Sequence, residues 1–327
     1  MNVNNFVCEP NLDLSTIDRN EENLIIVDRK NVVKVEKHIG LSLVKVMADS
    51  DEFPVIFNSG DGYDYFSFVF LDGNRMNMDF EKITLILMKK LLVVVINSQS
   101  LHRMARSELV EEFVFGSTTT MYMTFMELVF SEMFGQLCEY EGHLHYIESQ
   151  LITGGKKYRS EEIIHERDMC LTIKKYARQL YLSGEGLKRN SNHLIPENEM
   201  RTLPKIGAKI SLLSEIAGHL TEISAHLTVI YNSTVSIKSS NAIHKLTVFN
   251  FFATPIIAIS GIYGMNFVNK LELLRPFGYF IVLGVLLGIS YIVLLFLKKN
   301  QLWIAYINKI FLKYYEERII TWLEEDK

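Results

Sequence analysis

The segment GIYGMNF, residues 261–267, ends the more polar of two long apolar runs near the end of this 327-residue chain. Neither run, 246–265 nor 276–297, contains a charged side chain. A helix needs about 20 apolar residues to cross the hydrocarbon core of a bilayer. Both runs are therefore predicted to be transmembrane helices, because buried core helices are usually shorter and carry one polar face.

The rest of the composition excludes several other classes of protein. The N-terminal residues MNVNNFVCEPNLDLS have neither the basic nor the apolar region of a signal peptide, so we expect the large N-terminal part to lie in the cytosol. The three cysteines are scattered, which is typical of reduced thiols. The net charge is only −4 and there is no basic stripe with interleaved aromatic residues, so no nucleic-acid partner is expected.

Residues 1–115 are predicted to form a small cytosolic α/β domain. Turn residues at 58–62 and 72–74 separate β-branched and aromatic runs, and HIGLSLVKVM (38–47) has helical spacing. The mixture of strands and a helix indicates an α/β fold. The predicted strands are NLIIV (23–27), FPVIF (53–57), YFSFVFL (65–71), KITLILM (82–88) and LLVVVIN (91–97).

The pattern changes to a helical period in residues 116–245. One apolar stripe predicts a helix that Gly154 ends, and a second helix is expected to reach about residue 181, where SGEGLKRNSN interrupts the chain. The stripe consists of Phe125, Val129, Met133, Leu137, Tyr140, Leu144, Ile147 and Leu151.

A coiled-coil-like seam follows Pro204. Helices with such seams pack on copies of themselves or on neighbouring helices. No proline occurs from 205 to 254, so we predict one stalk helix that runs into the first membrane span. The seam is Ile206, Ile210, Leu213, Ala217, Leu220, Ser224, Leu227 and Tyr231, widened by Ile216, Ile223 and Ile230.

The distribution of positive charge predicts the topology. The loop 266–275 carries only two basic residues, whereas lysines flank the other ends of both spans. The positive-inside rule then places both termini in the cytosol, and 246–297 forms a two-helix hairpin in the cell membrane. The tail 298–327 is predicted to contain an amphipathic helix. The flanking lysines are Lys238, Lys245, Lys298, Lys299, Lys309 and Lys313.

Neither span contains an ionisable side chain, which argues against a proton relay. Instead the first span has a stripe of small and polar residues at alternating spacings of three and four. Such a stripe either packs against another helix or lines a pore, and the spacing alone leaves both open. Together with an apolar second span, it is typical of an oligomeric pore. The stripe is Thr247, Asn250, Thr254, Ile257 and Gly261.

The sequence Tyr263-Gly264-Met265-Asn266 resembles the signature of the CorA-type magnesium channel family. TPIIAISGIYGMNF (254–267), GYFIVLGVLLGISYIVLLFLKK (278–299) and the run from GLSLVKVMADSDEFP to YDYFSFVFL are also similar to that family. The resemblance implies an α+β membrane protein and a homopentamer, with passive Mg²⁺ uptake and no resident cofactor. It also implies that Gly264, Met265 and Asn266 form the selective mouth, with Asn266 contacting Mg²⁺ through a water of hydration.

Two segments depart from the family pattern. VNKLELLRP follows the signature where the family has an acidic, proline-containing segment, so cation attraction at the mouth should be weaker. Where family members carry an acidic pair that senses cytosolic Mg²⁺, this chain has PKIGAK (204–209). The resemblance therefore implies no inhibition by Mg²⁺ at that place.

The same sequence features also fit other functions. A transporter of Zn²⁺, Co²⁺ or Ni²⁺ with the same architecture, or a membrane-anchored coiled-coil scaffold or sensor, would share most of these features. No nucleophile–base motif or nucleotide loop is recognisable, so an enzyme is not expected. His143 and His145 lie among Glu139, Glu141 and Glu148, but residues two apart do not share a helical face, which favours a solvated surface over a metal site.

Overall fold

The computed structural model describes residues 5–8, 21–39, 53–74, 77–96, 117–265 and 277–299. It divides into two units, Met1–Thr234 and Val235–Lys327. Within the described residues, the first unit contains a mixed sheet, one short helix and three longer helices, so the mixture of strands and helices predicted for the N-terminal part is present.

Six strands form one sheet in the order β1-β2-β6-β5-β4-β3. β1 and β6 pair with β2 in parallel, and the remaining neighbours are antiparallel. The strands are β1 (Asn5–Cys8), β2 (Asn23–Val27), β3 (Ile56–Gly60), β4 (Tyr63–Asn74), β5 (Asn77–Met88) and β6 (Leu91–Ile96).

Both faces of this sheet are covered, which explains the continuous apolar runs in its central strands. In β2, Leu24 and Ile26 belong to the main core, whereas Ile25 and Val27 belong to a second cluster on the opposite face. Helix α1 (Val32–Ile39), which follows a short 3₁₀ turn, contributes to that second cluster. The predicted helix 38–47 lies outside the described residues from residue 40 onward.

One predicted turn is wrong, and another is shorter than predicted. Residues 72–74 continue β4, because they pair with 77–79 of β5 and lengthen the antiparallel ladder. Residues 58–60 belong to β3, and only Asp61 and Gly62 form the turn to β4, with Gly62 at a φ of 77°. The strand β3 itself starts at Ile56, three residues later than the predicted strand. Pairing with a neighbouring strand outweighed the local turn preference at both places.

The longer helices of the first unit are α2 (Thr118–Thr153), α3 (Ser160–Leu187) and the first part of α4 (Leu203–Gly264). All eight residues of the predicted α2 stripe are buried. Gly154 ends α2 with a φ of 73°, as predicted. The end predicted for α3 near residue 181 is wrong, because the helix continues through Gly184 and Gly186 to Leu187.

The apolar seam of α4 packs on neighbouring elements of the same chain. Its residues from Ile206 to Leu227 are buried, and the apolar ones join the core that also contains the α2 stripe. Tyr231 is partly buried against that core. The predicted continuity is confirmed, since α4 extends to Gly264 and includes Pro255. The last described helix is α5 (Gly278–Lys299).

Candidate functional site

The second unit contains an apolar helical segment that the described residues leave uncovered. Among the described residues, one helix is long and apolar enough to cross a membrane, by length and composition. Its best window lies within Leu203–Gly261, and none of that window is buried. Phe249 and Ile257, for example, are 66% and 68% exposed.

The predicted polar stripe lies on one face of this segment. At about 100° per residue, its five members fall within a sector of about 80° around the helix. All five are exposed within the chain. The hydroxyl of Thr247 donates to the carbonyl oxygen of Ile243 at 2.9 Å, so this side chain also has a partner on its own helix. The structure therefore brings Thr247, Asn250, Thr254, Ile257 and Gly261 onto one open face.

The predicted mouth lies at the end of α4. Gly264 is the last residue of the helix, and Met265 follows in a bend with 56% of its surface exposed. Asn266 and the rest of the loop 266–275 lie outside the described residues. The roles of Gly264, Met265 and Asn266 in ion selection stay predictions.

A polar network that the sequence analysis missed joins α2 to α3. The Tyr140 hydroxyl donates to Glu166 Oε2 at 2.6 Å, and His143 Nε2 lies 3.4 Å from Glu166 Oε1. Burial opposes ionisation of Glu166, but the hydrogen bonds from His143 and Tyr140 and the charges of His143 and His165 outweigh it and lower the pKa of this carboxyl. The available signal was Tyr140, a polar side chain within an apolar stripe.

Burial also raises the pKa of the neighbouring Cys170 thiol to about 11. Cys170 is fully buried, and both Cys170 and Cys138 are free thiols. The thiolate is the reactive form of cysteine, so a buried thiol with a raised pKa is inert at neutral pH.

The two histidines of α2, His143 and His145, have different partners. His143 faces Glu166 of α3, whereas His145 Nδ1 lies 3.2 Å from Glu148 Oε2. Two histidines of α4 also approach glutamates of α2, with His219 3.1 Å from Glu141 and His226 3.1 Å from Glu148. Within the described residues, no three histidine, cysteine or acidic side chains are placed to hold a metal ion.

The segment PKIGAK also forms a contact between helices. Lys209 Nζ lies 3.2 Å from Glu127 Oε1 and 2.5 Å from the Ser131 hydroxyl, both on α2. A positive charge therefore occupies this part of α4 and is paired within the chain.

Comparison with known proteins gives the family. The sequence profile described as "CorA-like Mg²⁺ transporter protein" matches residues 26–299, which is most of the chain. The chain belongs to the CorA-like Mg²⁺ transporter family. The resemblance inferred from the GMN region is thus confirmed, and the family is one of divalent cation transporters.

Individual relatives agree with this assignment. The cobalt/magnesium transport protein CorA of Thermotoga maritima is 36% identical over 80 residues, which are 24% of this chain and 23% of that protein. The chain therefore aligns with less than a quarter of that relative's length.

Solved structures of the CorA-like fold extend the match. The complete CorA magnesium transporter of Methanocaldococcus jannaschii superposes with a TM-score of 0.70 at 16% identity, covering 84% of this chain and 89% of that one. The ZntB cytoplasmic domain of Vibrio parahaemolyticus gives 0.53 at 12% identity, over 65% of this chain and 87% of that domain. At these identities the likeness shows the fold alone.

Proposed function

We propose that this CorA-like chain is a homopentameric channel of the cytoplasmic membrane that admits Mg²⁺ passively. The observation that carries the proposal is the open face of α4, with Asn250 and Thr254 exposed on an otherwise apolar and exposed helix. The proposed organisation keeps a cytosolic domain at 1–115, a helical region at 116–245, a hairpin at 246–297 and a cytosolic tail at 298–327.

The polar face supports assembly around an axis. A polar side chain in hydrocarbon is costly unless it meets a partner helix or water. A single hairpin in lipid would offer Asn250 and Thr254 only the second span, which is almost entirely apolar. Copies of α4 that meet around a symmetry axis would place both side chains toward a shared, hydrated path.

The chemistry of Mg²⁺ supports a neutral mouth. Mg²⁺ dehydrates reluctantly and usually keeps several of its waters when it binds to proteins. Conduction also requires binding weak enough to permit release, which a ring of carboxylates would oppose. The amide oxygen of Asn266 from each subunit would accept hydrogen bonds from the waters around the ion. Gly264 permits close approach of the backbone there, and Met265 packs behind the turn.

Two other functions compete with this proposal. The same architecture could carry Zn²⁺, Co²⁺ or Ni²⁺, and the Thermotoga relative is named for both cobalt and magnesium. A membrane-anchored scaffold or sensor would have no use for a polar face that leads to Asn266. We favour the Mg²⁺ channel because a neutral amide mouth suits a hydrated ion better than one bound directly by nitrogen or sulfur ligands.

The test is cation flux into liposomes that contain the full-length protein. We expect Mg²⁺ flux in the unaltered chain, and its loss in Asn266→Ala and Asn266→Gln while native mass spectrometry still detects the pentamer. Asn269→Ala, in the same loop, is the matched control and should conduct normally. Normal Mg²⁺ flux in an assembled Asn266→Ala protein would falsify the role of the mouth. If native mass spectrometry in mild detergent detected monomers alone, the oligomeric pore would be refuted. Zn²⁺ flux without Mg²⁺ flux would favour the first alternative.

A further inference from the structure

Two lysines lie on α4 immediately before its apolar segment. Lys238 and Lys245 are both exposed and lie seven residues apart, so they share one face of the helix. The part of the chain that the structure describes contains no ion pair to either side chain. The sequence also has no acidic residue between Glu222 and Glu272. Within the described residues, both positive charges are therefore open to solvent or to a further partner.

The lysines lie on the side of α4 away from the polar stripe. At about 100° per residue, Lys238 and Lys245 are separated from the centre of the stripe by about 140–160°. Ser236 and Ser240, in contrast, fall within about 60° of that centre. If the stripe faces the conduction path, as the proposed function requires, serines continue the lining of the path and the lysines face outward.

The lysine face continues into the membrane segment as an apolar surface. Phe249 and Ile256 lie within about 40° of Lys245 around the helix, and they are 66% and 47% exposed. Going up this face, two positive charges are thus followed by large apolar side chains. A free anion in water would interact only with the lysine charges. A lipid would interact with these charges through its headgroup and with the apolar side chains through its acyl chains.

The spacing also fits the depth of a lipid headgroup layer. Lys245 directly precedes the first apolar residue, and Lys238 lies about 10 Å further along the axis. Long lysine side chains bury their stems and extend their charged ends toward the polar boundary. Anionic lipids of the cytosolic leaflet attract basic residues in this position.

We propose that Lys238 and Lys245 of each subunit form a binding site for the phosphate headgroup of an anionic lipid of the cytosolic leaflet. The acyl chains of that lipid pack along Phe249 and Ile256. The orientation of the site rests on the proposed function, because it follows from the stripe facing the axis. The chemistry of recognition is that of a phosphodiester joined to an apolar tail.

The test measures binding of a short-chain phosphatidylglycerol to the full-length protein in neutral detergent. We expect the double variant Lys238→Gln/Lys245→Gln to bind about 25-fold more weakly, from about 5-fold per lysine. The control variant Lys157→Gln/Lys174→Gln removes two exposed lysines of the first unit and should bind as the unaltered protein does. Inorganic phosphate at the same concentration should not compete.

The outcomes separate this proposal from the channel itself. Equal binding by the lysine variant and the control would overturn the site, and competition by inorganic phosphate would overturn the assignment to lipid. Mg²⁺ flux of the lysine variant in neutral phosphatidylcholine liposomes should match the unaltered protein. If no protein conducts Mg²⁺ but the lysine-dependent binding is present, the proposed function fails and the lipid site stands.

Discussion

Replacing Glu166 by Gln tests the polar network between α2 and α3. The Glu166 side chain is only 18% exposed. Its carboxylate accepts a hydrogen bond from the hydroxyl of Tyr140, a residue that is 3% exposed. A hydrogen bond to a charged group contributes about 1.5–3 kcal/mol to stability. We therefore expect Glu166→Gln to lower the free energy of unfolding by about this amount at pH 7.

The effect should depend on pH with a defined sign. The pKa of Glu166 is lower in the folded chain than its ordinary value near 4.3. Its stabilising contribution is therefore fully present above that ordinary value, and it is lost as the pH falls below it through the lowered pKa. The difference between the unaltered chain and Glu166→Gln should shrink over that acidic range, because the protonated carboxyl resembles the amide.

The assay is thermal unfolding of the full-length protein in mild detergent from pH 7 down to pH 3. Each kcal/mol corresponds to about 2–4 °C in melting temperature for a domain of this size. Glu222→Gln changes an exposed carboxylate on α4 and serves as the control, with an expected change within about 0.5 kcal/mol. A difference for Glu166→Gln that is absent at pH 7, or that grows as the pH falls below about 4.3, would refute the reasoning.

Further predictions concern the packing of the helices. Leu220→Ala removes a fully buried side chain from the seam of α4 and should cost about 2–5 kcal/mol, whereas Leu212→Ala, at a 43% exposed site, should cost much less in the same unfolding assay. Gly218→Ala should raise the melting temperature, since a methyl group there meets nothing within 4 Å and alanine favours helix by up to about 1 kcal/mol. Gly186→Ala should lower it, because the new methyl group would lie 2.9 Å from a ring carbon of Phe57; a rise would contradict the packing.

The parts of the fold that local periodicity determines were predictable from the sequence. The α2 stripe and the α4 seam have one apolar position every three or four residues, and these positions are buried as far as Leu227. The central strands were also predictable, because a sheet covered on both faces has continuous apolar runs. Gly154 was predictable because its left-handed conformation is a local property of the chain.

Contacts between distant residues decided the features that the sequence prediction missed. Residues 72–74 look like a turn, but pairing with 77–79 keeps them in β4. Gly184 and Gly186 look like helix breakers, yet a side chain at either position would crowd Ile210 or Phe57. Neither partner is near in sequence, so no local pattern could have identified it.

For the candidate site, too, local spacing predicted some features, whereas others depend on contacts that the spacing does not reveal. Spacing alone placed the stripe from Thr247 to Gly261 on one face, since this requires only a regular helix. The identity of the family came from the GMN region and from the profile match. In the proposed pentamer, other copies of the chain cover the stripe, and a periodic pattern in one chain fits both helix packing and a pore.

Thiol accessibility along α4 tests most directly whether its polar face lines the conduction path. In a full-length chain without its native cysteines, a charged, water-soluble thiol reagent should react with Asn250→Cys and Thr254→Cys and stop Mg²⁺ flux into liposomes. The same reagent should leave flux unchanged in Phe249→Cys and Ile256→Cys, which lie on the lysine face. If the reagent stopped Mg²⁺ flux in Phe249→Cys and Ile256→Cys but not in Asn250→Cys and Thr254→Cys, the account would be contradicted.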